Sequence, residues 1–333
     1  MSDHNRPVCV IGAGSWGTAL AMVLSRLGRK VYLVARSAEK AEAMQQQRQN
    51  DVYLPGVSFP ESLEVTADLT AALKQSEAVV LALPCSAAES VLPQLAEESE
   101  GIVIIASKGL HPETLERADE MVARHLGRER VAVLSGPSFA YEVARAKPTA
   151  IVMAAYDVAT AADAAAFFDD TSFRVYTSTD IVGVALGGAL KNVIALAAGI
   201  SDGLQLGHNA IAALITRGIA EMSRLAEACG GRHETLSGLA GLGDLVLTCT
   251  GELSRNRRMG IALAQGMNMQ AAREYIGQVV EGVRTAKAAY RLAQDKQIEV
   301  PIISAVYSVI EENVRPMDAV KQLMARPAEK PEY

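Results

Sequence analysis

A single lysine interrupts the most apolar stretch of this 333-residue chain. Lys191 lies near the middle of residues 181–200, a run rich in alanine and glycine that is predicted to be helical. Gly187 and Gly188 precede it by about one turn, and we expect them to leave open space around its ammonium group. Because a buried lysine without a partner is rare, this ammonium is a candidate acid/base group. The alternative is a lysine whose long stem lets the charge reach solvent.

Two later segments also carry charged groups that could take part in catalysis or ligand binding. Residues 238–244 form a glycine-rich stretch that ends in Asp244, which either caps a helix or is the anionic partner of Lys191. Residues 254–258 read Ser-Arg-Asn-Arg-Arg and place three guanidinium groups in five residues of a chain whose formal net charge is -6. Because phosphate prefers planar, bidentate donors, this cluster indicates a phosphate site. The alternative is a solvated, basic start of a helix.

A third candidate site lies near the N-terminus. Residues 12–17 read Gly-Ala-Gly-Ser-Trp-Gly, directly after the apolar run Val8–Ile11 and before a segment of good helix formers. In this context Gly12 permits a tight turn, Gly14 lets a diphosphate approach the backbone, and Gly17 lets helix pack on strand. The pattern predicts a dinucleotide site.

The residue after the second predicted strand indicates which dinucleotide binds. Sites that prefer NAD usually place Asp or Glu there to accept a hydrogen bond from the ribose 2′-hydroxyl. This chain has Arg36, whose guanidinium can pair with a 2′-phosphate, or is a solvated surface group. The sequence therefore predicts NADPH as cofactor, with NADH also possible.

Apolar runs alternate with helical segments through the first half of the chain, which predicts a parallel sheet covered by helices on both faces. Glycine, proline, serine and lysine follow these runs, where the carboxyl ends of parallel strands meet and ligands bind. One intervening helix is predicted at Glu113–His125. The predicted strands are Val8–Ile11, Lys30–Val34, Ala78–Leu83, Ile102–Ala106, Val131–Leu134, Pro148–Ala154 and Ser172–Tyr176.

Beyond about residue 182 the pattern becomes helical. We therefore predict a Rossmann-type, doubly wound, mostly parallel sheet over residues 1–182, followed by an all-helical substrate-binding domain over residues 183–333. The tail after Pro327 is predicted to be loose. The predicted helices are Gly183–Ile200, Ala210–Cys229, Arg257–Ala264, Met269–Ile276, Val283–Gln294 and Ile302–Glu312.

Composition excludes several classes of protein. The net negative charge argues against a nucleic-acid binder. The four cysteines form no CxxC pair and the five histidines no metal-binding pattern, so we predict neither a disulfide framework nor a metal site. The polar segment 1–7 lacks the apolar run of a signal peptide, and a central lysine is costly in a membrane span. We predict a soluble, cytoplasmic protein without membrane insertion.

Taken together, the motifs resemble those of the bacterial-type glycerol-3-phosphate dehydrogenases. They occur in family order from residue 11 to beyond residue 280. They are GAGSWGTA, SKGL, SGPSFA, LGGALKNVIALAAGISDG, AGLGDLVLTCT, SRNRR and GQVVEG.

This resemblance implies hydride transfer between NAD(P)H and dihydroxyacetone phosphate, yielding glycerol 3-phosphate for phospholipid synthesis, with Lys191 as the proton-transferring residue and a homodimer as the assembly. It implies that the substrate contacts Lys108, Gly136, Ser138, Lys191, Asp244, Ser254, Arg255 and Asn256. It implies that the cofactor contacts Ser15, Trp16, Arg36, Lys108, Ala140, Arg255, Val279 and Glu281, besides the glycines of the loop.

Two other functions are compatible with the residues alone. A 2-hydroxyacid or 6-phosphogluconate-type dehydrogenase could share this architecture. A non-catalytic dinucleotide sensor would bind NADPH without turnover, and it would have no need for Lys191, Asp244 and the 254–258 cluster together.

Overall fold

The computed structural model of the chain describes residues 7–168 and 172–325. The prediction for the N-terminal segment 1–7, apart from Pro7, and the prediction for the tail after Pro327 lie outside the described residues. The strands are β1 (Val8–Ile11), β2 (Val31–Val34), β3 (Gln49–Asn50), β4 (Leu54–Ser58), β5 (Leu63–Thr66), β6 (Ala78–Leu81), β7 (Ile102–Ile105), β8 (Val131–Ser135), β9 (Thr149–Ala155) and β10 (Phe173–Ser178).

Helices separate the strands in the first half and make up most of the second half. They are α1 (Ser15–Arg26), α2 (Ala38–Gln47), α3 (Leu69–Lys74), α4 (Cys85–Ala88), α5 (Leu92–Glu98), α6 (Ala118–Leu126), α7 (Ala140–Ala144), α8 (Val158–Ala165), α9 (Ile181–Gly203), α10 (His208–Ala228), α11 (His233–Leu236), α12 (Asp244–Thr250), α13 (Arg255–Ala264), α14 (Met269–Ile276), α15 (Glu281–Asp295), α16 (Pro301–Glu311) and α17 (Pro316–Met324).

The main sheet has eight strands in the order β10-β9-β8-β7-β6-β1-β2-β5. Six neighbouring strands, from β8 to β5, are parallel, while β9 pairs antiparallel with β8 and β10 pairs parallel with β9. The core strands are apolar runs because both of their faces are covered by helices. The predicted class, a Rossmann-type, mostly parallel sheet followed by helices, is confirmed.

The reversal at β9 has a simple cause. In a parallel crossover, usually an α-helix, the chain must return across the sheet over about 16 Å for a five-residue strand, whereas five residues of helix rise only about 7.5 Å. The connection from β8 to β9 contains only the five-residue helix α7, so β9 starts at the edge where β8 ends. Since β10 follows β9 in direction, it ends at the opposite, amino-terminal edge.

This placement delivers Lys191 to the ligand-binding edge. Helix α9 begins at Ile181, just after β10, and packs against β8 and β9 as it returns across the sheet. Ten residues of helix rise about 15 Å, close to the ~16 Å of a five-residue strand. Lys191 therefore arrives level with the carboxyl ends of the parallel strands.

Helix α9 is also the central helix of the second half. It meets the test of length and composition for a membrane span, but 83% of its most apolar window is buried inside the protein, as expected of a core helix. Its first turn packs with the sheet's core, whereas residues from Leu186 onward pack in a separate helical core.

Some elements differ from the prediction. The edge strand β5 and the small antiparallel pair β3–β4 were not predicted from the sequence. The helix expected at Glu113–His125 starts only at Ala118, because Leu115 adopts a left-handed backbone (φ 62°) and Leu110 bridges to Arg117. That prediction was wrong over its first five residues.

Candidate active site

Two lysines from different parts of the chain converge on one carboxylate. Lys108 Nζ lies 2.7 Å from Asp244 Oδ2, and Lys191 Nζ donates to Asp244 Oδ1. All three groups are largely withdrawn from solvent; the Asp244 side chain is 1% exposed. Because one negative charge lies between two positive ones, the cluster has a net charge of about +1 when both lysines are protonated. Such a cluster attracts an anionic ligand.

The chain folds locally to bring these groups together. Lys108 follows β7 at the carboxyl edge, where Ser107 Oγ donates to the carbonyl oxygens of Leu81 and Leu83. Asp244 is the first residue of α12, after a π-helical turn at Leu239–Gly243. The N-cap of α12 is Gly243, so the Asp244 carboxylate is directed to the lysines rather than used as a helix cap.

The electrostatic environment weakens the hold of Lys191 on its proton. The pKa of the Lys191 ammonium is lowered to about 8, mainly by burial; the neighbouring charge of Lys108 also lowers it, whereas Asp244 raises it. A lysine with a pKa near neutrality exists as both acid and base over the working pH range, which suits proton transfer.

The sequence suggested that the glycines before Lys191 leave open space around it, but they do not. A Cβ at Gly187 would come within 2.6 Å of the Ala240 carbonyl oxygen, and one at Gly188 within 2.6 Å of Ser135 Oγ. The missing side chains instead let α9 approach the π-helical turn and β8 closely. That close approach brings Lys191 to its partners, so the expectation of a void was wrong.

A further residue at the cluster was not identified from the sequence. Thr248 Oγ1 accepts a hydrogen bond from Lys191 Nζ at 2.9 Å and donates to the Asp244 carbonyl oxygen at 2.6 Å. Its spacing of four from Asp244 places both on one face of α12, which is the signal that could have found it. Thr248 gives the Lys191 ammonium a second acceptor.

The predicted phosphate cluster lies at the start of α13. Ser254 Oγ accepts from the Arg257 N–H and caps this helix. Arg255 Nη1 lies 3.4 Å from Gln278 Oε1, and burial lowers the pKa of its guanidinium. Asn256 is buried: its Nδ2 donates to Asn192 Oδ1 at 2.8 Å.

Arg255 and Asn256 thus contact the start of α15 and the segment before it. Asn256 Oδ1 accepts from the Gly282 N–H at 2.9 Å. Glu281 starts α15, where burial raises the pKa of its carboxyl group while Arg284 and Arg255 act against that rise. A Cβ at Gly109, next to Lys108, would lie 3.7 Å from Glu281 Oε2, so Glu281 borders the same edge of the sheet.

The segment after β8 lines another side of the lysine cluster. The Gly136 carbonyl oxygen accepts from Lys108 Nζ at 3.3 Å and from Ser138 Oγ at 2.9 Å. Gly136 has φ +146°, a backbone conformation that favours glycine. Ala140 is the first residue of α7, which follows directly.

The glycine loop has the shape that a dinucleotide requires. Gly12 has φ +112°, and a Cβ there would lie 2.6 Å from the Ala82 carbonyl oxygen; a Cβ at Gly17 would collide with the Gly12 carbonyl oxygen. A Cβ at Gly14 would meet nothing within 4 Å, so this side of the loop is open. The first turn of α1, from Ser15, has no side-chain cap, and its N–H groups are available to phosphate. Trp16 Nε1 is buried without a partner among the described residues.

Other predicted cofactor residues lie apart from the lysine cluster. Arg36 is exposed after β2, before the helix that Ser37 caps. Val279 is 41% exposed in the segment before α15. Across residues 7–168 and 172–325, no group of three or more His, Cys, Asp or Glu side chains could hold a metal ion.

Comparison with known proteins identifies the family. The model of the NAD-dependent glycerol-3-phosphate dehydrogenase N-terminus matches residues 7–161, and that of the C-terminus matches residues 180–321. Glycerol-3-phosphate dehydrogenase [NAD(P)+] of Geobacter sulfurreducens is 51% identical over 95% of this chain and 96% of its own length. The enzyme of the same name from Thioalkalivibrio sulfidiphilus is 48% identical over 98% of this chain and 99% of its own length.

Comparison with solved structures supports the same family. The glycerol-3-phosphate dehydrogenase of Coxiella burnetii superposes with a TM-score of 0.93 at 42% identity, over 97% of this chain and 100% of the other. A D-mandelate dehydrogenase, at 12% identity and a TM-score of 0.60 over 96% of this chain and 100% of its own, shares the fold alone. The chain belongs to the NAD-dependent glycerol-3-phosphate dehydrogenase family.

Proposed function

We propose that this chain reduces dihydroxyacetone phosphate to sn-glycerol 3-phosphate, reversibly, with Lys191 as its catalytic acid/base. The reductant is NAD(P)H, as in the named relatives. The observation that carries the assignment of Lys191 is the buried Lys108–Asp244–Lys191 cluster at the carboxyl edge of a sheet that also carries a dinucleotide loop. When bound, the reduced nicotinamide supplies the hydride.

The side chains of the cluster have complementary tasks in this reaction. As the ketone carbon is reduced, negative charge develops on its oxygen and requires a donor. The Lys191 ammonium donates the proton to this oxygen, and in the reverse direction its neutral amine accepts the hydroxyl proton. Asp244 and Thr248 hold the Lys191 nitrogen in place. Lys108 adds a second positive charge beside the reacting oxygen.

The remaining predicted residues bind the two ligands. The phosphate group is held by the start of α13, where a guanidinium offers bidentate donors. We assign substrate binding to Lys108, Gly136, Ser138, Lys191, Asp244, Ser254, Arg255 and Asn256. We assign cofactor binding to Gly12, Gly14, Ser15, Trp16, Gly17, Arg36, Lys108, Ala140, Arg255, Val279 and Glu281.

The decisive test is substrate-dependent oxidation of NADPH, followed by its absorbance. We expect turnover with dihydroxyacetone phosphate and at most trace turnover with 2-keto acids or 6-phosphogluconate. Turnover of 2-keto acids alone would favour the 2-hydroxyacid dehydrogenase alternative. NADPH binding without turnover of any of these substrates would favour the sensor alternative.

Cofactor preference provides a separate prediction. We expect a higher kcat/KM with NADPH than with NADH, because Arg36 can pair with the 2′-phosphate and the strand end lacks a repelling carboxylate. Arg36→Asp should narrow or reverse this ratio, since a carboxylate accepts from a 2′-hydroxyl and repels a phosphate. Steady-state kinetics with both cofactors measure the effect. Equal use of the two by the unmodified enzyme would show that Arg36 has no part in selection.

Further features of the function follow from the family and the sequence. We propose that the enzyme is a cytoplasmic homodimer without membrane insertion, and that its product serves phospholipid synthesis. We also propose the division into a cofactor domain, residues 1–182, and a substrate domain, residues 183–333. In support, α9 starts at Ile181, and the two family models divide between residues 161 and 180.

A further inference from the structure

A buried asparagine outside all the motifs touches the dinucleotide loop. Asn50 is 2% exposed and ends the two-residue strand β3. Its Nδ2 donates to the Ala13 carbonyl oxygen at 3.0 Å and to Thr18 Oγ1 at 2.9 Å. Its Oδ1 accepts from the Tyr53 N–H at 3.3 Å. A residue 32 positions away in the chain therefore ties the loop to the first turns of α1.

The orientation of this amide is fixed by its partners. A carbonyl oxygen accepts and a backbone N–H donates, so the side-chain nitrogen of Asn50 must face Ala13 and its oxygen must face Tyr53. Both protons of the amide nitrogen are thereby used. Aspartate has the same shape but would offer no donor to Ala13 or to Thr18. Its charge would also repel the Ala13 carbonyl oxygen.

The contact with Ala13 controls one peptide unit of the loop. In a trans peptide the C=O and the following N–H point in opposite directions. Since Asn50 holds the Ala13 carbonyl on one side, the Gly14 N–H faces away from Asn50. Gly14 precedes the uncapped N–H groups of Ser15 and Trp16, where the loop is open. Thr18, the second partner of Asn50, donates its backbone N–H to the Gly14 carbonyl oxygen at 2.9 Å.

We propose that Asn50 is a positioning residue for the diphosphate of the bound dinucleotide. It fixes the Ala13–Gly14 peptide against the first turns of α1, so that the free N–H groups of the loop are held in a phosphate-binding arrangement before the cofactor arrives. This inference rests on the proposed use of NAD(P)H and adds a residue from the β3–β4 hairpin to that site. It assigns Asn50 no contact with the reacting atoms.

The test compares two ligands that share adenosine and the 2′-phosphate. NADPH also has the diphosphate and the nicotinamide riboside attached to it, and adenosine 2′-monophosphate has neither. Dissociation constants are measured by calorimetry and, for NADPH, by quenching of Trp16, the only tryptophan of the chain. Asn50→Asp is the principal variant, and Asn50→Ser replaces the amide by a shorter hydroxyl side chain without adding charge. Asn313→Asp, an exposed residue between α16 and α17, is the control for the added charge.

We expect Asn50→Asp to raise the Kd for NADPH about tenfold or more, as for the loss of a buried hydrogen bond. Asn50→Ser should also raise this Kd, but by a smaller factor. The Kd for adenosine 2′-monophosphate should change less than about twofold, within the error of one weak contact. Asn313→Asp should bind both ligands as the unmodified chain does. An equal rise in the Kd of both ligands would show that Asn50 has only a general structural role, which would contradict the proposal. An unchanged Kd for NADPH would also refute it. If the unmodified chain failed to bind NADPH, the proposed cofactor itself would be wrong.

Discussion

Lys191→Ala is expected to lower kcat by about 10²–10⁴, the contribution typical of a positioned acid/base group. The developing alkoxide would lose its proton donor, and the other lysine of the cluster, Lys108, is bound to Asp244 and to the Gly136 carbonyl oxygen. The NADPH dissociation constant should stay nearly the same, because the glycine loop between β1 and α1 lies outside the cluster. Steady-state kinetics and NADPH fluorescence measure the two quantities separately.

Two further variants at this position separate chemistry from packing. Lys191→Met keeps the length of the buried side chain but has no proton to give, so its kcat should match that of the Ala variant. Lys191→Arg keeps the charge and should restore little activity, because a guanidinium does not release its proton at neutral pH. A fall in kcat of less than about fivefold in the folded Ala variant, far below the usual range, would move the proton donor to Lys108.

Asp244→Asn should change the pH dependence of the reaction as well as its rate. On the proposed role of Lys191, reduction by the unmodified enzyme needs its ammonium form. The kcat/KM for reduction should therefore fall as the pH rises through about 8, while that for oxidation should increase over the same range. The Asp244 carboxylate raises this pKa, and removing its charge leaves Lys108 to lower it further. A neighbouring opposite charge typically shifts a pKa by about 1–3 units. The midpoint for reduction should therefore move to lower pH.

The expected loss of reductase activity in Asp244→Asn can be calculated for pH 8. If the midpoint falls by about one to two units, the protonated fraction of Lys191 at pH 8 decreases roughly five- to fiftyfold. Asp202 lies on α9, like Lys191, and pairs with Arg257 of α13. Asp202→Asn also removes a carboxylate from an ion pair, so it is the matched control and should leave the midpoint in place. A midpoint for Asp244→Asn that stays near pH 8 would show that another group controls the profile.

The strands and the glycine loop could be predicted because their signals are local. Buried parallel strands are uninterrupted apolar runs, and β1 was predicted with its observed bounds. Helix α14 was likewise predicted at Met269–Ile276, where Asn268 caps its start and Gly277 ends it in a left-handed conformation. In each case the residues that form or end the element are adjacent in the sequence.

The features that could not be predicted depend on distant backbone. The close approach at Gly187 and Gly188 is made to Ala240 and Ser135, far away in the chain, so the same glycines suggested empty space in the sequence. Edge strand β5 alternates apolar and polar residues, but over only four positions. Asn50 was overlooked because its two-residue strand has no periodicity of its own.

Close backbone contact continues further along α9. A Cβ at Gly199 would collide with the Arg257 carbonyl oxygen, and one at Gly260 would lie 2.2 Å from the Leu196 carbonyl oxygen. Helices α9 and α13 therefore meet backbone to backbone. Because interiors are close-packed and transmit strain, the distance between Lys191 and the start of α13 is nearly fixed.

The same helix limits how the molecule can open. Ile181 and Val184 are embedded in the sheet's core, while the rest of α9 is embedded in the helical core. A hinge at the proposed domain boundary would have to withdraw that first turn or bend a continuous 23-residue helix. Sharp bends in helices occur at proline, at Gly/Ser pairs, at π-bulges or where a group is inserted. Helix α9 contains no proline, and its Gly187–Gly188 pair is packed closely against Ala240 and Ser135. The two halves are thus joined by one continuous, buried helix. We therefore expect ligand entry to require only small movements at exposed contacts between the halves, such as the hydrogen bond from Arg284 of α15 to Ser86 of α4.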